Sequence, residues 1–438
     1  MKIFFSLFLI LLTFSFANAQ DLPIPKSPLM TKLEADVSSG KLNAVDDFWK
    51  FAKLRGTPLI EPIEDDSKDS LVTFIWRGDS DTKNVLVQSP FFPWVMARRQ
   101  MTQVKNTDVW YKTAKVPNDA RVTYRFTIND PRLPFADPYD WFSIKVSFLN
   151  DPLNVRKFIY PKDEDVLGDE VGEVSLLEMP VALKSSALIE RANIKKGKLE
   201  KTNYKSEILP DERRLWFYTP PDYSPKKKYP LVIFLDGFEY LNSIPSKIIL
   251  DNLIADGKIP PVVAVFIATP IEAGVREKEY YANPLFVDFM VKEFLPLVQA
   301  KYRVSKKATD TTVVGLSASG FAGGFLALKH PEKFGNVIMQ SPAVFWGNDY
   351  YGEDGEWLTN EYVIAPKIKV RFYLEMGKFE AYAPTGKGIP NAFHSVRHFR
   401  DVLKLKGNEV YYNEFNGAHE MINWRETLPD ALIKIVGK

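Results

Sequence analysis

The apolar residues of this 438-residue chain follow two successive patterns. Over residues 66–175, short runs of β-branched and aromatic residues end in Gly, Asp, Asn or Pro, and such strands at this spacing are typical of an immunoglobulin-like β-sandwich. The predicted strands are 71–77, 84–88, 108–115 and 121–128. The preceding residues, 20–65, form a polar N-terminal extension with a helix predicted over 43–54.

The pattern changes after a charged segment, residues 176–210, in which we expect a linker and a pair of strands around 198–206. Over residues 211–438, continuous apolar runs alternate with helical segments, which is typical of a doubly wound, mostly parallel sheet buried on both faces. The predicted strands of this sheet are 215–218, 231–235, 262–267, 312–315, 336–340, 370–375 and 410–415. The fold class is therefore α/β, preceded by a smaller all-β domain.

The first 19 residues are typical of an export signal. Met1-Lys2 gives a short positive start, residues 3–16 are apolar, and Ala17-Asn18-Ala19 places small residues at the cleavage site. The apolar run is shorter than the ~20 residues that a membrane span needs, which argues against an uncleaved anchor. We expect a periplasmic or secreted protein with no stable membrane insertion after cleavage of residues 1–19.

The charge balance and the cysteine count exclude several classes of function. Lys and Arg number 57 against 55 Asp and Glu, so the net charge of +2 does not indicate a nucleic-acid partner. Cys is absent, which excludes disulfides, a thiol nucleophile, Cys-ligated zinc and iron–sulfur clusters. We expect no cofactor and no metal site.

The candidate nucleophile is Ser317, which stands in the sequence Gly315-x-Ser317-x-Ser319. A buried strand precedes this turn and a helix is predicted over 320–329. Strand, turn and helix in this order resemble the G-x-S-x-G nucleophile elbow of α/β-hydrolases, with Ser319 in place of the last Gly. The alternative is a tight turn with a helix cap and no chemical role.

A serine nucleophile needs a base, and the chain has four histidines. His419 follows the last predicted strand, where this fold keeps its base, although a surface-loop histidine is the alternative. The acid that orients the base is expected between Ser317 and His419 in chain order, on the loop after strand 370–375. Glu380 is our choice, with Glu375 as the runner-up, and a Ser–His dyad without a close acid remains open.

The other three histidines are assigned structural roles. His330 precedes a proline at a helix end and is expected to cap it. His394 and His398 are four residues apart on a helix predicted over 392–405, a spacing that metal sites use, but no nearby Asp or Glu completes a familiar pattern. A solvated helix face is therefore expected there.

The oxyanion that forms during ester cleavage needs two backbone donors. Strand 231–235 ends in Asp236-Gly237, and the glycine allows the chain to turn so that the Phe238 amide reaches the substrate. The Ala318 amide, next to the nucleophile, is the second expected donor. The alternative is that Asp236-Gly237 forms an ordinary turn.

Several stretches in the same order are similar to the enterochelin esterase family, within the esterase-D-like α/β-hydrolases. They are residues 236–237, 253–261, 276–283, the Ser317 turn with 330–335, 340–346, 374–380 and 417–425, and in the N-terminal part 73–77, 107–111 and 151–154. The resemblance covers about residues 60–430. It implies an N-terminal β-sandwich followed by an α/β-hydrolase, serine ester hydrolysis, and iron-siderophore trilactones such as ferric enterobactin as substrates.

The candidate substrate contacts follow from the charge and shape of such a ligand. A ferric tris-catecholate is a trianion, which guanidinium groups favour, and aromatic side chains suit its catechol rings. The candidates are Asp236, Gly237, Arg276, Trp346 and Arg425. The alternative is that both arginines pair with nearby acids such as Glu279 and Glu426, and that Trp346 packs in the core.

Three other functions stay open at this point. The same chemistry on feruloyl or acetyl esters of polysaccharides would use the same fold and would not require a basic pocket. A non-catalytic binding protein would retain the fold, but it would not need Ser317 and His419, which are both present. Acyl transfer rather than hydrolysis is the third.

Overall fold

The structure is a computed structural model that describes residues 26–93, 96–132, 144–272, 274–347, 355–382 and 391–437. The predicted export signal, residues 1–19, lies outside these described residues. No helix in the described part of the chain combines the length and the apolar character that crossing a membrane requires.

The first domain is a sandwich of two antiparallel four-stranded sheets, with strand orders β1-β2-β5-β4 and β3-β6-β8-β7. Its core lies between the sheets, where fully buried aromatic residues such as Phe74, Tyr124 and Phe126 meet edge to face. The strands are β1 (Leu59–Ile63), β2 (Asp66–Arg77), β3 (Val85–Gln88), β4 (Thr102–Gln103), β5 (Val109–Pro117), β6 (Arg121–Ile128), β7 (Lys157–Tyr160) and β8 (Gly172–Glu178).

The N-terminal extension is part of this domain. Strand β1 pairs with β2, so the first sheet begins before residue 66, where the sequence pattern places the start of the sandwich. Helices α1 (Pro28–Ser38) and α2 (Ala44–Arg55) pack Leu33 and Phe48 against the same sheet. A short helix, α3 (Met96–Arg99), lies close to β3.

The second domain is built on an eight-stranded sheet with the order β16-β15-β14-β13-β11-β12-β10-β9. The strands β11 to β16 run parallel, as the apolar runs predict. The strands are β9 (Lys198–Lys205), β10 (Glu212–Thr219), β11 (Leu231–Leu235), β12 (Val263–Ile267), β13 (Thr311–Leu316), β14 (Asn336–Gln340), β15 (Arg371–Gly377) and β16 (Glu409–Phe415).

Two expectations about this sheet are wrong. Residues 198–206 do not contain a pair of strands, because β9 is one strand whose antiparallel partner is β10. Strand β10 also runs antiparallel to β12, so residues 215–218 are not part of the parallel series. Both errors concern pairing, which depends on segments outside the local pattern.

Helices cover both faces of the second sheet, which completes an α/β-hydrolase fold and confirms the predicted fold class. Helices α4, α5 and α12 cover one face and α6 to α11 the other. Their bounds are α4 (Gly237–Asn242), α5 (Ser246–Ala255), α6 (Val275–Tyr280), α7 (Pro284–Asp288), α8 (Leu295–Lys301), α9 (Ser317–Lys329), α10 (Trp357–Ile364), α11 (Ala392–Leu405) and α12 (Met421–Val436). A π-helical segment, Phe289–Phe294, joins α7 to α8.

The two domains meet where strand β6 contacts the loop after β16. The Arg121 amide donates to the Asn416 carbonyl at 3.2 Å, and Asn416 Nδ2 donates to Asp119 Oδ1 at 2.7 Å. The rings of Phe91 and Phe379 meet edge to face, with centroids 4.8 Å apart. The interface therefore includes the loop that carries His419, the predicted catalytic base.

Candidate active site

The turn around Ser317 has the conformation of a nucleophile elbow. Strand β13 is buried over its whole length, and helix α9 begins at Ser317 itself, three residues earlier than predicted. Ser317 adopts a left-handed φ of 52°, a strained conformation for a non-glycine residue. A Cβ on Gly315 would lie 2.3 Å from the Ser319 carbonyl oxygen, so only glycine fits there.

Ser319 explains why this chain tolerates a departure from the G-x-S-x-G pattern. Its buried hydroxyl accepts from the Leu316 amide at 2.8 Å and donates to the Leu316 carbonyl at 2.7 Å. The side chain thus bonds to both backbone polar groups of the residue that ends the strand and precedes the helix. The serine stabilises the turn at a place where the common pattern has a flexible glycine.

The proposed base and acid are in contact. His419 Nδ1 lies 2.7 Å from Glu380 Oε2, and Glu380 is buried on the short 3₁₀ turn Lys378–Tyr382 after β15. The other carboxylate oxygen of Glu380 accepts from the Ser341 hydroxyl at 2.7 Å and from the Gly377 amide at 2.9 Å. These bonds fix the carboxylate, which in turn can fix the tautomer and orientation of the imidazole.

The surroundings of His419 restrict its ring further. The Trp424 ring meets the imidazole edge to face, with centroids 4.8 Å apart, and Trp424 Nε1 donates to Ser341 Oγ at 3.0 Å. Ser317, His419 and Glu380 line one cavity. Among the described residues, no direct hydrogen bond joins Ser317 Oγ to His419; such bonds are often long in unliganded enzymes and tighten with substrate.

Glu375, the runner-up acid, has a different environment. Its Oε1 accepts from Gln340 Nε2 and from Thr427 Oγ1, both at 2.7 Å. Its side chain is fully buried, and burial raises the pKa of Glu375 to about 7. The structure gives the contact with the imidazole to Glu380 and leaves Glu375 within the core.

The two predicted oxyanion donors follow the ends of neighbouring strands, and neither Phe238 nor Ala318 is among the described residues that line the cavity. Strands β11 and β13 are neighbours, with Phe234 opposite Val314, so the turn at Asp236-Gly237 and the Ser317 turn follow adjacent strand ends. Asp236 has a left-handed φ of 56°, and Phe238 follows at the start of α4. Ala318 is the second residue of α9, where backbone amides have no intrahelical acceptor.

The predicted substrate contacts Asp236, Gly237 and Arg276 interact with other parts of the protein. Arg276 binds Asp236 through two hydrogen bonds, Nε to Oδ1 at 2.9 Å and Nη2 to Oδ2 at 2.6 Å, and the buried Asp236 thereby acquires its counter-ion. Arg276 therefore pairs with Asp236, and at 3.4 Å with Glu277, but not with Glu279, which pairs with Arg213. Gly237 lies tightly against β12, where a Cβ would come within 2.6 Å of the backbone.

Arg425 and Trp346 have the roles that the alternative predicts, which are an ion pair with a neighbouring acid and packing in the core. Arg425 lies 3.6 Å from Glu426 and over the ring of Phe158, as the pairing alternative expects. Trp346 stacks on Tyr281 with ring centroids 4.8 Å apart and belongs to an aromatic cluster with Phe321. Neither residue lines the cavity that contains Ser317.

Two of the three remaining histidines have acidic partners, and His394 contacts the ring of Phe393. His330 lies 3.0 Å from Glu332, and His398 lies 2.6 Å from Glu356. Within the described ranges, no group of three or more His, Asp or Glu side chains is arranged to hold a metal ion.

The cavity itself lies between the two domains and has a volume of about 580 Å³, within the range of small-molecule sites. The catalytic domain contributes Ser317, His419 and Glu380, together with apolar side chains such as Phe345 and Phe379. The wall that the sandwich contributes is not predicted by the sequence pattern. Its residues include Arg99, Thr123, Tyr124, Arg125, Arg132, Phe148 and Tyr160.

Comparisons with known proteins agree with this architecture. A family model described as "Putative esterase" matches residues 206–435, and one described as "Enterochelin esterase, N-terminal" matches residues 71–188. The iron(III) enterobactin esterase of Escherichia coli O6:H1 is 27% identical over 348 residues, which cover 77% of this chain and 82% of that protein.

Two solved structures share the fold over most of both chains. The enterobactin esterase of Shigella flexneri, crystallised in the presence of enterobactin, is 25% identical, with a TM-score of 0.68, and the match covers 87% of this chain and 96% of that one. The ferric enterobactin esterase of Salmonella typhimurium is 24% identical, with a TM-score of 0.71, over 88% of this chain and 98% of that one. The resemblance drawn from the sequence motifs is confirmed.

Proposed function

The chain belongs to the putative esterase family and is a carboxylic-ester hydrolase with an enterochelin esterase N-terminal domain; from this premise we propose that it is an exported serine esterase of siderophore trilactones. The observation that carries the mechanism is the 2.7 Å contact between His419 and Glu380 in the cavity that also contains Ser317. The relatives named as enterobactin esterases support an enterobactin-type substrate.

In the first half-reaction, Ser317 Oγ attacks the ester carbonyl carbon and its proton passes to His419 Nε2. Glu380 accepts the hydrogen bond from Nδ1 and stabilises the imidazolium that forms. The amides of Phe238 and Ala318 donate to the oxyanion, a contribution of about 3–4 kcal/mol per donor if values from serine proteases transfer.

The second half of the reaction releases the products. The bond between the carbonyl carbon and the alkoxide oxygen breaks, and the leaving alkoxide takes the proton from His419. A water molecule then gives a proton to His419 and attacks the acyl-serine, which yields the free acid and restores the Ser317 hydroxyl. A trilactone would be opened to a linear ester by the first such cycle.

Hydrolysis by the purified protein tests both the mechanism and the substrate class. Wild type and Ser317→Ala would be compared on ferric enterobactin, iron-free enterobactin, a feruloyl sugar ester and p-nitrophenyl acetate, with Ser395→Ala as the matched control. We expect Ser317→Ala alone to lose turnover. Equal turnover by Ser317→Ala and wild type would reject the serine mechanism, and cleavage of feruloyl sugars but not trilactones would overturn the substrate proposal.

Export requires its own test. We expect the mature protein to begin at Gln20, so N-terminal sequencing of the protein from periplasmic and culture fractions would detect removal of residues 1–19. An intact chain that begins at Met1 and remains in the cytoplasm would contradict this part of the proposal.

A further inference from the structure

We propose that the sandwich domain provides the anion-binding subsite of the active-site cavity, and that Arg125 is the side chain that binds the negatively charged, metal-loaded part of the ester substrate. This inference rests on the proposed function and adds to it the location of charge recognition. It also assigns to the first domain a direct role in substrate selection.

The charges of the cavity are divided between its two walls. Every arginine among the described lining residues, Arg99, Arg125 and Arg132, comes from the sandwich. The lining residues of the catalytic domain include no Lys or Arg, and they carry the carboxylates of Glu380 and Glu420. An anionic substrate is therefore attracted to the wall opposite the nucleophile, so that its neutral ester groups can face Ser317.

Arg132 and Arg99 give the cationic wall a fixed framework. Arg132 donates Nε and Nη2 to the buried carboxylate of Asp130 at 2.9 and 2.7 Å. Arg99 donates to the carbonyl oxygens of Pro93 and Phe92 and to the side chain of Gln88. Burial, together with the positive charge of Arg132, lowers the pKa of Arg99 to about 10, so the Arg99 guanidinium stays charged at neutral pH.

Arg125 is the arginine with the most donors available for a ligand. Its hydrogen bond within the described residues is a 3.4 Å contact from Nη2 to the Glu173 carbonyl, which uses one of five N–H donors. Residues two apart on a strand share a face, and the side-chain hydroxyl of Thr123, two residues before Arg125 on β6, donates to Glu420 of the catalytic domain. The face of β6 that carries Arg125 is thus the face directed to the catalytic domain.

The aromatic residues of the cavity fit the same ligand. Phe148 and Tyr160 on the sandwich side, with Phe345 and Phe379 opposite, provide ring surfaces near the arginines. The Arg132 guanidinium already lies 5.6 Å from the centroid of Phe148. A ferric tris-catecholate combines three negative charges with three aromatic rings, so it matches guanidinium groups interleaved with aromatic side chains.

The test compares a charged and a neutral ester in variants at one position. Arg125→Gln removes the charge, Arg125→Lys keeps the charge but not the planar fork, and Arg156→Gln removes an exposed sandwich arginine that does not line the cavity. For each variant, kcat and KM would be measured on ferric enterobactin and on p-nitrophenyl acetate at 50 and 300 mM NaCl.

For ferric enterobactin, we expect Arg125→Gln to raise KM about tenfold and to change kcat less than threefold. The value of kcat/KM for ferric enterobactin, divided by the value for p-nitrophenyl acetate, should therefore fall about tenfold. Arg125→Lys should recover part of this loss, Arg156→Gln should match wild type, and added salt should raise the wild-type KM more than that of Arg125→Gln. An unchanged ratio in Arg125→Gln, or an equal loss on both esters, would overturn the proposal.

Binding to an inactive protein separates this inference from the proposed function. Ferric enterobactin would be titrated into Ser317→Ala with and without Arg125→Gln, and tryptophan fluorescence would report binding. We expect the Kd to rise about tenfold in the double variant. Equal Kd values for the two proteins, or no binding to either, would overturn the proposed anion subsite even if wild type hydrolyses ferric enterobactin. If binding depends on Arg125 but wild type does not hydrolyse ferric enterobactin, only the proposed function would be overturned.

Discussion

Thr123 of the sandwich donates both its backbone amide and its side-chain hydroxyl to the carboxylate of Glu420, the residue that follows His419. The amide lies 3.1 Å from each carboxylate oxygen, and the hydroxyl donates to Oε1. The Glu420 side chain is partly buried and lines the cavity, and loss of hydration there raises its pKa to about 7, although both Thr123 bonds oppose this rise. The first domain thus holds the loop of the proposed catalytic base through the Glu420 carboxylate, in addition to the contacts with Asn416.

Loss of the Thr123 hydroxyl is expected to weaken this hold. Thr123→Val keeps the β-branched shape and the amide but removes one donor, and hydrogen bonds to charged groups contribute about 1.5–3 kcal/mol. We expect kcat on p-nitrophenyl acetate to fall about threefold to tenfold, and the acid limb of the pH–rate profile to move to higher pH because the Glu420 carboxylate loses a stabilising bond.

The groups that act on Glu420 in this profile are Thr123, Glu380 and His419. Thr113→Val is the matched control, since the Thr113 hydroxyl pairs with Thr73 within the sandwich. A Thr123→Val enzyme with the wild-type kcat and an unmoved acid limb would show that the sandwich does not position the loop.

Substitution of the two candidate acids should separate their roles. Glu380→Gln keeps the shape but cannot stabilise the imidazolium, so we expect kcat to fall roughly a thousandfold to ten-thousandfold. Glu375→Gln, whose side chain bonds to Gln340 and Thr427, should keep kcat within threefold of wild type. Kinetics on p-nitrophenyl acetate would check this, with thermal unfolding to verify folding; comparable losses in both variants would contradict the assignment of Glu380.

The buried carboxyl of Glu375 should make stability depend on pH. Burial raises its pKa to about 7, whereas it ionises near 4.3 in an unfolded chain. Its contribution to stability is therefore present in full below about pH 4.3 and is lost as the pH rises through about 7. Among the described residues, Glu375 Oε2 has no hydrogen-bond partner that would offset this loss.

Glu375→Gln removes this ionisation. Relative to wild type, the free energy of unfolding of Glu375→Gln should rise by roughly 3 kcal/mol between pH 4.5 and pH 8, because one pKa unit corresponds to about 1.4 kcal/mol. Urea unfolding at both pH values would measure the difference. A difference that stays constant or shrinks over this range would be inconsistent with a raised pKa.

The hydroxyl of Ser319 should be required for a stable nucleophile turn. Ser319→Ala removes the two buried hydrogen bonds that the hydroxyl makes to the amide and carbonyl of Leu316, which is expected to lower the free energy of unfolding by about 1–3 kcal/mol. Ser395→Ala is the control, because the buried Ser395 hydroxyl has no hydrogen-bond partner in the described part of the chain. Urea denaturation that gives equal losses for both variants would refute the role of the hydroxyl.

The sequence pattern predicts a helix or strand accurately where the periodicity within the segment itself determines where the element begins and ends. Strand Arg121–Ile128 and helix Ala392–Leu405 occur at the predicted residues, since alternation and helical periodicity are properties of adjacent positions. The strand pair expected near 198–206 failed for the opposite reason, because the partner of β9 is a later segment, Glu212–Thr219. Strand direction and pairing are not encoded in the run of apolar residues itself.

By itself, the sequence determined the fold class, the elbow turn and the candidates Ser317, His419 and Glu380, because these follow from residue type, chain order and the ends of strands. The tertiary structure decided which acid contacts the imidazole and which arginines line the cavity. Thr123 and Glu420 are 297 residues apart in the chain, so no local pattern relates them. Packing of the sandwich against the catalytic domain brings Arg125 into the cavity, while Arg276 and Arg425 pair with acids outside it.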